Sequence, residues 1–270
     1  MAAPMRLPEL ESPCADDRLP ALAGEWAVGC GPDGRPSVAV HVPTGRRQRW
    51  SPGPGPVAWG PGRLVDAASG VLELAVGEWA PLADRLHGAA WAPPGLHGPA
   101  LVLVQPAALH VLDMRQNGHP VWASRPWGGM APAVGAGRVV WAVDAGPLGI
   151  DLHTRALRGG ATAVIAGGPG DQRAPVSDGR AFAWVDRGRL VRWDGAGEPR
   201  PLPVLTGFSA PPTLDGGELC AEVRGEGVDI WCSGGGGPAG PGDQTHPSLG
   251  GGHLLWREAG AVWVQPVVGP

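Results

Sequence analysis

Apolar side chains along this chain alternate with polar or small ones in short runs, and the 3.6-residue spacing of an amphipathic helix is hard to find anywhere. The runs pair off around glycine-rich turns. In "APAVGAGRVVW" (Ala131 to Trp141), "APVSDGRAFAW" (Ala174 to Trp184) and "HPSLGGGHLLW" (His246 to Trp256) a proline opens the unit and a tryptophan follows nine residues after it. This is one hairpin written three times. "PTLDGGELCA" (Pro212 to Ala221) and "PVAWGPGRLV" (Pro56 to Val65) keep the turn and lose the tryptophan, "PALAGEWAVG" (Pro20 to Gly29) is a weaker copy, and "HGAAWAPPG" (His87 to Gly95) fits only with an insertion.

A second alternating segment follows each hairpin: "SVAVHV" from Ser37, "VLELAV" from Val71, "LHVLDM" from Leu109, "IDLHTRAL" from Ile150, "RLVRW" from Arg189, "VDIWCS" from Val228 and "AVWVQPV" from Ala261. Their starts lie 33 to 41 residues apart, near the roughly 40 residues of a four-stranded propeller blade. "RRQRW", "HPVWAS", "ATAVIAG" and "PRPLPVL" supply outer strands after most of them. The pattern therefore predicts an all-β fold, a single seven-bladed β-propeller over residues 1–270, with six blades as the alternative if the irregular third unit merges with its neighbours. The seventh unit ends before an outer strand, whereas "PMRLPEL" (Pro4 to Leu10) precedes the first hairpin and resembles "PRPLPVL". The N-terminal strand is expected to complete the C-terminal blade, since a ring without a shared sheet would leave a free edge at its seam. Trp141, Trp184 and Trp256, at one repeated strand position, are expected to pack between blades.

The "P-x-x-x-G-x-x-x-x-W" hairpins, the "VDIW" third strand and the "GDQ" lead-ins at Gly170 and Gly242 resemble the TolB-type family of propeller repeats, relatives of the WD-repeat architecture. The frequent "SPDG" turn of that family is missing, with only "GPDG" (Gly31 to Gly34) near it. The resemblance implies a scaffold and no particular reaction, because the family spans binding proteins, periplasmic interaction proteins and non-catalytic domains of peptidases.

Composition narrows the partners. A share of 46 glycines and 32 prolines among 270 residues would signal disorder without periodicity and signals frequent turns with it. The formal net charge of −4 provides no field to attract a phosphate backbone, so nucleic acid is not an expected partner. Arg46, Arg47 and Arg49 read as a solvated outer strand. No apolar run approaches the ~20 residues of a membrane-spanning helix.

The four cysteines fall into two local pairs. Cys220 and Cys232 are each six residues from Glu226, the centre of a Gly-Glu-Gly turn, and so face each other across a hairpin. Cys14 and Cys30 would pin the N-terminal lead to the first hairpin. Two disulfides point to an oxidising, extracytoplasmic compartment. "MAAPMRLPELESP" has no basic start with an apolar core, so this expectation takes the chain as lacking its targeting segment, with the cytoplasm as the alternative.

Candidate ligand contacts gather in the turns leading into the hairpins, which in a propeller open on the central channel. These place Asp17, Arg18, Asp84, Arg85, His87, Asp171, Gln172, Asp243, Gln244 and His246 at the channel mouth. Repeated aspartates also serve as turn caps, their carboxylates accepting backbone N–H groups. Trp122, Arg125 and Trp127 in "PVWASRPWGG" form a candidate interaction loop, or stacking platforms for a carbohydrate. The chain has no Lys, hence no GK[ST] phosphate loop, and no G-x-S-x-G elbow. The expectation is a monomeric, non-catalytic binding or protein-interaction scaffold for a protein or small-molecule ligand, with no cofactor and no metal. The alternative is an enzyme, a lyase or hydrolase, using acids and histidines at the channel entrance.

Overall fold

Each unit in the sequence folds as one antiparallel sheet, and seven such sheets follow one another along the chain. The computed structural model describes residues 3–14, 19–51, 57–66, 70–80, 92–105, 108–113, 121–123, 126, 130–205, 211–235, 237–238 and 240–267. Blade 1 comprises Ala21–Ala23, Trp26–Cys30, Pro36–His41 and Arg47–Arg49, from the axis outward, and blade 2 comprises Val57–Gly60, Arg63–Asp66, Gly70–Glu73 and Glu78–Ala80. Blade 3 is built from Ala92–His97, Ala100–Gln105, Ala108–Asp113 and Val121–Ala123, and blade 4 from Ala133–Gly135, Arg138–Asp144, Ile150–Ala156 and Ala163–Ala166. Blade 5 follows with Gln172–Ser177, Phe182–Asp186, Arg189–Trp193 and Arg200–Leu205. Blade 6 has three strands among the described residues, Thr213–Asp215, Glu218–Arg224 and Val228–Cys232. Blade 7 has Gln244–Gly250, His253–Glu258 and Ala261–Pro266, with Met5–Arg6 as its outer strand. The fold is a seven-bladed β-propeller.

The hydrophobic pattern along each blade follows from its position in the ring. Second strands are covered on both faces by neighbouring blades, and Trp26–Cys30 is buried along its whole length. Outer strands meet water: Arg47 and Arg49 are exposed, and Arg47 pairs with Glu9. Among the described residues the buried apolar side chains form seven clusters, each joining adjacent blades. Trp141 packs with Val102 and Val111 between blades 3 and 4, Trp184 with Leu152 between blades 4 and 5, and Trp256 with Ile230 between blades 6 and 7. The stack of sheets, rather than any single sheet, holds the core.

The third unit is regular after all. Its hairpin starts at Ala92, and Pro94, Gly98 and Leu103 repeat the spacing of proline, turn glycine and tryptophan, with leucine in place of tryptophan. The copy begins at Pro94, near the end of the His87–Gly95 stretch that required an insertion, and runs on beyond it.

The ends of the chain meet in blade 7. Met5 and Arg6 pair with Val264 and Trp263, and Leu7 N–H donates to Val262 O at 2.8 Å. A turn of 3-10 helix at Pro8–Leu10 then sinks Leu10 to complete burial. Leu10 rests on the backbone of Gly29 in blade 1, where an added Cβ would lie 2.8 Å from Leu10 Cδ2, so only glycine permits the contact. Cys14–Cys30 ties the same lead to blade 1, and Cys220–Cys232 joins directly paired positions of blade 6.

Leu10→Ala should cost about 2–5 kcal/mol of stability, the range for emptying a buried leucine site, read as a fall in the urea midpoint. An unchanged midpoint would show that the lead is not docked.

Candidate binding site in the central channel

The inner strands of all seven blades wall a cavity of about 450 Å³ on the ring axis, within the range of small-molecule sites. These strands are sheet edges, so unpaired N–H groups on them would face the channel. Proline removes that donor. Of the prolines that open the repeated hairpins, Pro132, Pro175, Pro212 and Pro247 line the cavity, where each removes such a donor.

Polar side chains in the wall bind neighbouring blades together. Ser248 Oγ accepts Leu22 N–H at 2.8 Å, from blade 7 to blade 1, and Thr213 Oγ1 accepts Leu249 N–H at 2.8 Å, from blade 6 to blade 7. Asp178 Oδ1 accepts the N–H groups of Arg180 and Ala181 at 2.9 and 2.8 Å, while Oδ2 accepts Gly217 N–H of blade 6 at 3.0 Å. Asp215 Oδ2 accepts Gly252 N–H of blade 7 at 3.4 Å. A carboxylate or hydroxyl held this way is fixed in direction as well as in place.

The "GDQ" segments are built into the frame. Gln172 and Gln244 are buried, and Gln172 Nε2 donates to Gly170 O and Asp186 Oδ1 at 3.1 and 3.3 Å. Asp243 Oδ1 accepts Val228 N–H at 2.9 Å from the blade 6 hairpin, and Asp171 O accepts Arg187 N–H at 3.2 Å. These four residues stand outside the cavity wall.

Directly after each motif the inner strand bulges. The ladder skips Ala174–Pro175 in blade 5 and His246–Pro247 in blade 7. Ala174 and His246 both adopt φ of 55°, a left-handed conformation that costs an L-residue about 1–2 kcal/mol. The bulge brings residue 246 into the cavity wall. Glu222, buried in the second strand of blade 6, accepts His246 N–H at 2.7 Å, whereas His246 Nδ1 is buried without a hydrogen-bond partner among the described residues. At the matching position of blade 7, Arg257 Nη2 donates to Leu19 O of blade 1 at 3.3 Å, and burial lowers the Arg257 pKa from its ordinary value.

Among the candidates read from sequence, His246 alone of the described channel-mouth residues lines the cavity. Asp17, Arg18, Asp84, Arg85, His87, Arg125 and Trp127 lie outside the described residues. Trp122 is not on a loop. It belongs to the outer strand of blade 3 at 4% exposure, 6.1 Å from the Trp141 ring, with the Arg155 guanidinium 4.8 Å above it, so core packing occupies its face. The ring of His153, the cross-strand neighbour of Trp141, lies 6.0 Å from it, and burial lowers the His153 pKa against the opposing pull of Asp151.

Sequence reasoning missed His97, Asp178 and Asp215, all in the wall. Asp178 and Asp215 each precede glycine at the tip of an inner hairpin, "SDG" and "LDGG", a turn signal that also marks the channel rim. Glu218, Cys220 and Cys232 present ligand atoms within 4.8 Å of one another, but the two sulfurs are bonded together and offer no thiolate to a metal.

No family model and no curated protein matches the chain. Solved structures do. The β-propeller domain of the Trilobed protease from Pyrococcus furiosus aligns over 93% of this chain and 94% of its own at 11% identity, with a TM-score of 0.58. An oligogalacturonate lyase in complex with manganese aligns over 97% and 90% at 12% identity, also at 0.58. A candidate TolB from Agrobacterium tumefaciens aligns over 60% and 68% at 13% identity and 0.43. The likeness is one of fold.

Ser248→Ala should cost about 1–3 kcal/mol by leaving Leu22 N–H unpaired at the seam, against little change for an exposed serine control such as Ser51→Ala in the same denaturation series. Equal effects of the two would show that the bracket contributes nothing.

Proposed function

We propose that this protein is an extracytoplasmic, non-catalytic binding scaffold of TolB-like character that takes its ligand at the central channel. The observation that supports this most is how the wall spends its polar groups. Ser177, Thr213, Ser248, Asp178 and Asp215 bond the backbone of their own or adjacent blades. Groups committed to backbone N–H and C=O make a fixed, preformed surface, which lowers the entropic cost of binding. A nucleophile would instead need a hydroxyl free to meet a base.

The channel provides the test. Ala174 occupies the position that His246 occupies in blade 7, with the same φ, so a larger side chain there follows a backbone that already carries one. Compounds or peptides that bind the wild type in a ligand-observed NMR screen should bind Ala174→Phe at least ~10-fold more weakly, a loss of about 1.4 kcal/mol. Hits that bind both proteins equally would place recognition elsewhere and overturn the reading.

A second reading, an enzyme of the lyase or hydrolase type, draws on His246, whose Nδ1 is buried at the cavity with no hydrogen-bond partner among the described residues. The manganese-bound lyase with the same fold keeps that class in view. Under it, wild type would convert a screening hit and His246→Ala would not; binding without conversion favours the scaffold.

Export is supported by the Cys14–Cys30 and Cys220–Cys232 pairs. Alkylation of the native, unreduced protein should leave its mass unchanged, about 4 Da below the fully reduced chain. Four labelled thiols would remove the basis for an exported protein.

A further inference from the structure

The channel wall has polarity as well as shape. Asp178 and Asp215 sit at the inner hairpin tips of adjacent blades 5 and 6, and the bond from Gly217 N–H to Asp178 Oδ2 ties the two tips together. Both carboxylates are half-buried and line the cavity. Asp215 commits Oδ2 to Gly252, which leaves Oδ1 facing no donor among the described residues. His97 of blade 3 reaches the same arc: its imidazole lies over Gly179, beside Asp178, so closely that a Cβ on Gly179 would fall 2.0 Å from the ring. Gly179 has a φ of 90°, and the contact requires glycine there twice over.

Across the ring, three blades away in either direction, stands Trp59 of blade 2, which also lines the cavity together with Leu96. One arc therefore carries two carboxylates, with the His97 imidazole beside Asp178 and the Arg192 guanidinium on Gly217 O, and the facing arc is aromatic and aliphatic. Apolar walls concentrate the field of the carboxylates into the cavity rather than letting water disperse it. Fixed acceptors that need no reorientation give a charge-assisted hydrogen bond its full strength.

From this polarity we propose that the channel selects an organic cation, an ammonium or guanidinium on an apolar body, with the charged head on Asp215 and Asp178 and the body against Trp59. The proposal rests on the reading of the channel as the binding site and specifies its ligand class. The same head group occurs on free amines and on basic side chains of proteins. A volume of about 450 Å³ accommodates a small amine or one side chain with its flanking backbone.

Three probes of one shape and different charge test it by isothermal titration: 4-phenylbutylamine, 4-phenylbutanol and 4-phenylbutyrate. The amine should bind about tenfold more tightly than the alcohol, and the carboxylate more weakly than either. Asp215→Asn keeps an oxygen for Gly252 N–H and removes the charge, so it should erase the amine's advantage while leaving the alcohol unchanged. Trp59→Leu should weaken amine and alcohol alike, which keeps the test informative if the Asn variant folds poorly. Acetyl-Gly-Lys-Gly amide separates the sources: tighter binding than the amine identifies a protein side chain, weaker binding a free amine, and both support a cation site. Equal affinity for the three probes, or preference for the carboxylate, overturns the cation assignment and leaves the channel reading intact. Failure of all probes to bind at millimolar concentration overturns both.

Discussion

The fold depends on one seam, where the two ends of the chain share a sheet. A propeller blade buries its faces only against its neighbours, so a ring that fails to close leaves two faces in water. Here the last blade carries three strands from the C-terminal end and takes Met5–Arg6 as its fourth. Four further devices stand at the same boundary: Leu10 against Gly29, the Ser248 hydroxyl under Leu22 N–H, Arg257 on Leu19 O, and the Cys14–Cys30 bridge. The ring is fastened at its inner, middle and outer radius where blade 7 meets blade 1.

Closure at the seam shapes the channel. An inner strand has a sheet partner on one side only, and its other edge must be satisfied without closing the cavity. Proline deletes donors there, while short hydroxyls and carboxylates take up the N–H groups of the next blade. The result is a cavity whose apolar wall is interrupted by the hydroxyls of Ser177, Thr213 and Ser248 and by Asp178, Asp215, His97 and His246. His246 departs from the rule. Its backbone is held by Glu222 in a costly conformation and its Nδ1 has no partner among the described residues, a cost of the kind that functional positions carry.

The architecture was legible because its cause is periodic. A proline ahead of the turn, a glycine in it and an apolar second strand recur from unit to unit, whereas blade 3 escaped the pattern until its strands Ala92–His97 and Ala100–Gln105 put Pro94, Gly98 and Leu103 in register. The site was less legible. Repetition tells which residues share a register, yet it does not tell which end of an inner strand opens on a cavity. Asp171 and Asp243 therefore looked equivalent to channel residues, although Asp243 accepts a backbone N–H from the blade 6 hairpin and Asp171 joins Arg187 through its main chain, both outside the wall, while Asp178 and Asp215 at the opposite tips were missed. Trp122 misled for a related reason: the irregular stretch around it hides a short outer strand whose inward face meets Trp141.

Residue-resolved hydrogen exchange of the native protein tests the closed ring most directly. If the seam makes one cooperative unit of all blades, the Leu7 amide on Val262 O should be protected as strongly as Ala136, which bridges blades 4 and 5 to Gly179 O. Exchange at Leu7 orders of magnitude faster than at Ala136 would show a frayed seam and contradict the closed, cooperative ring.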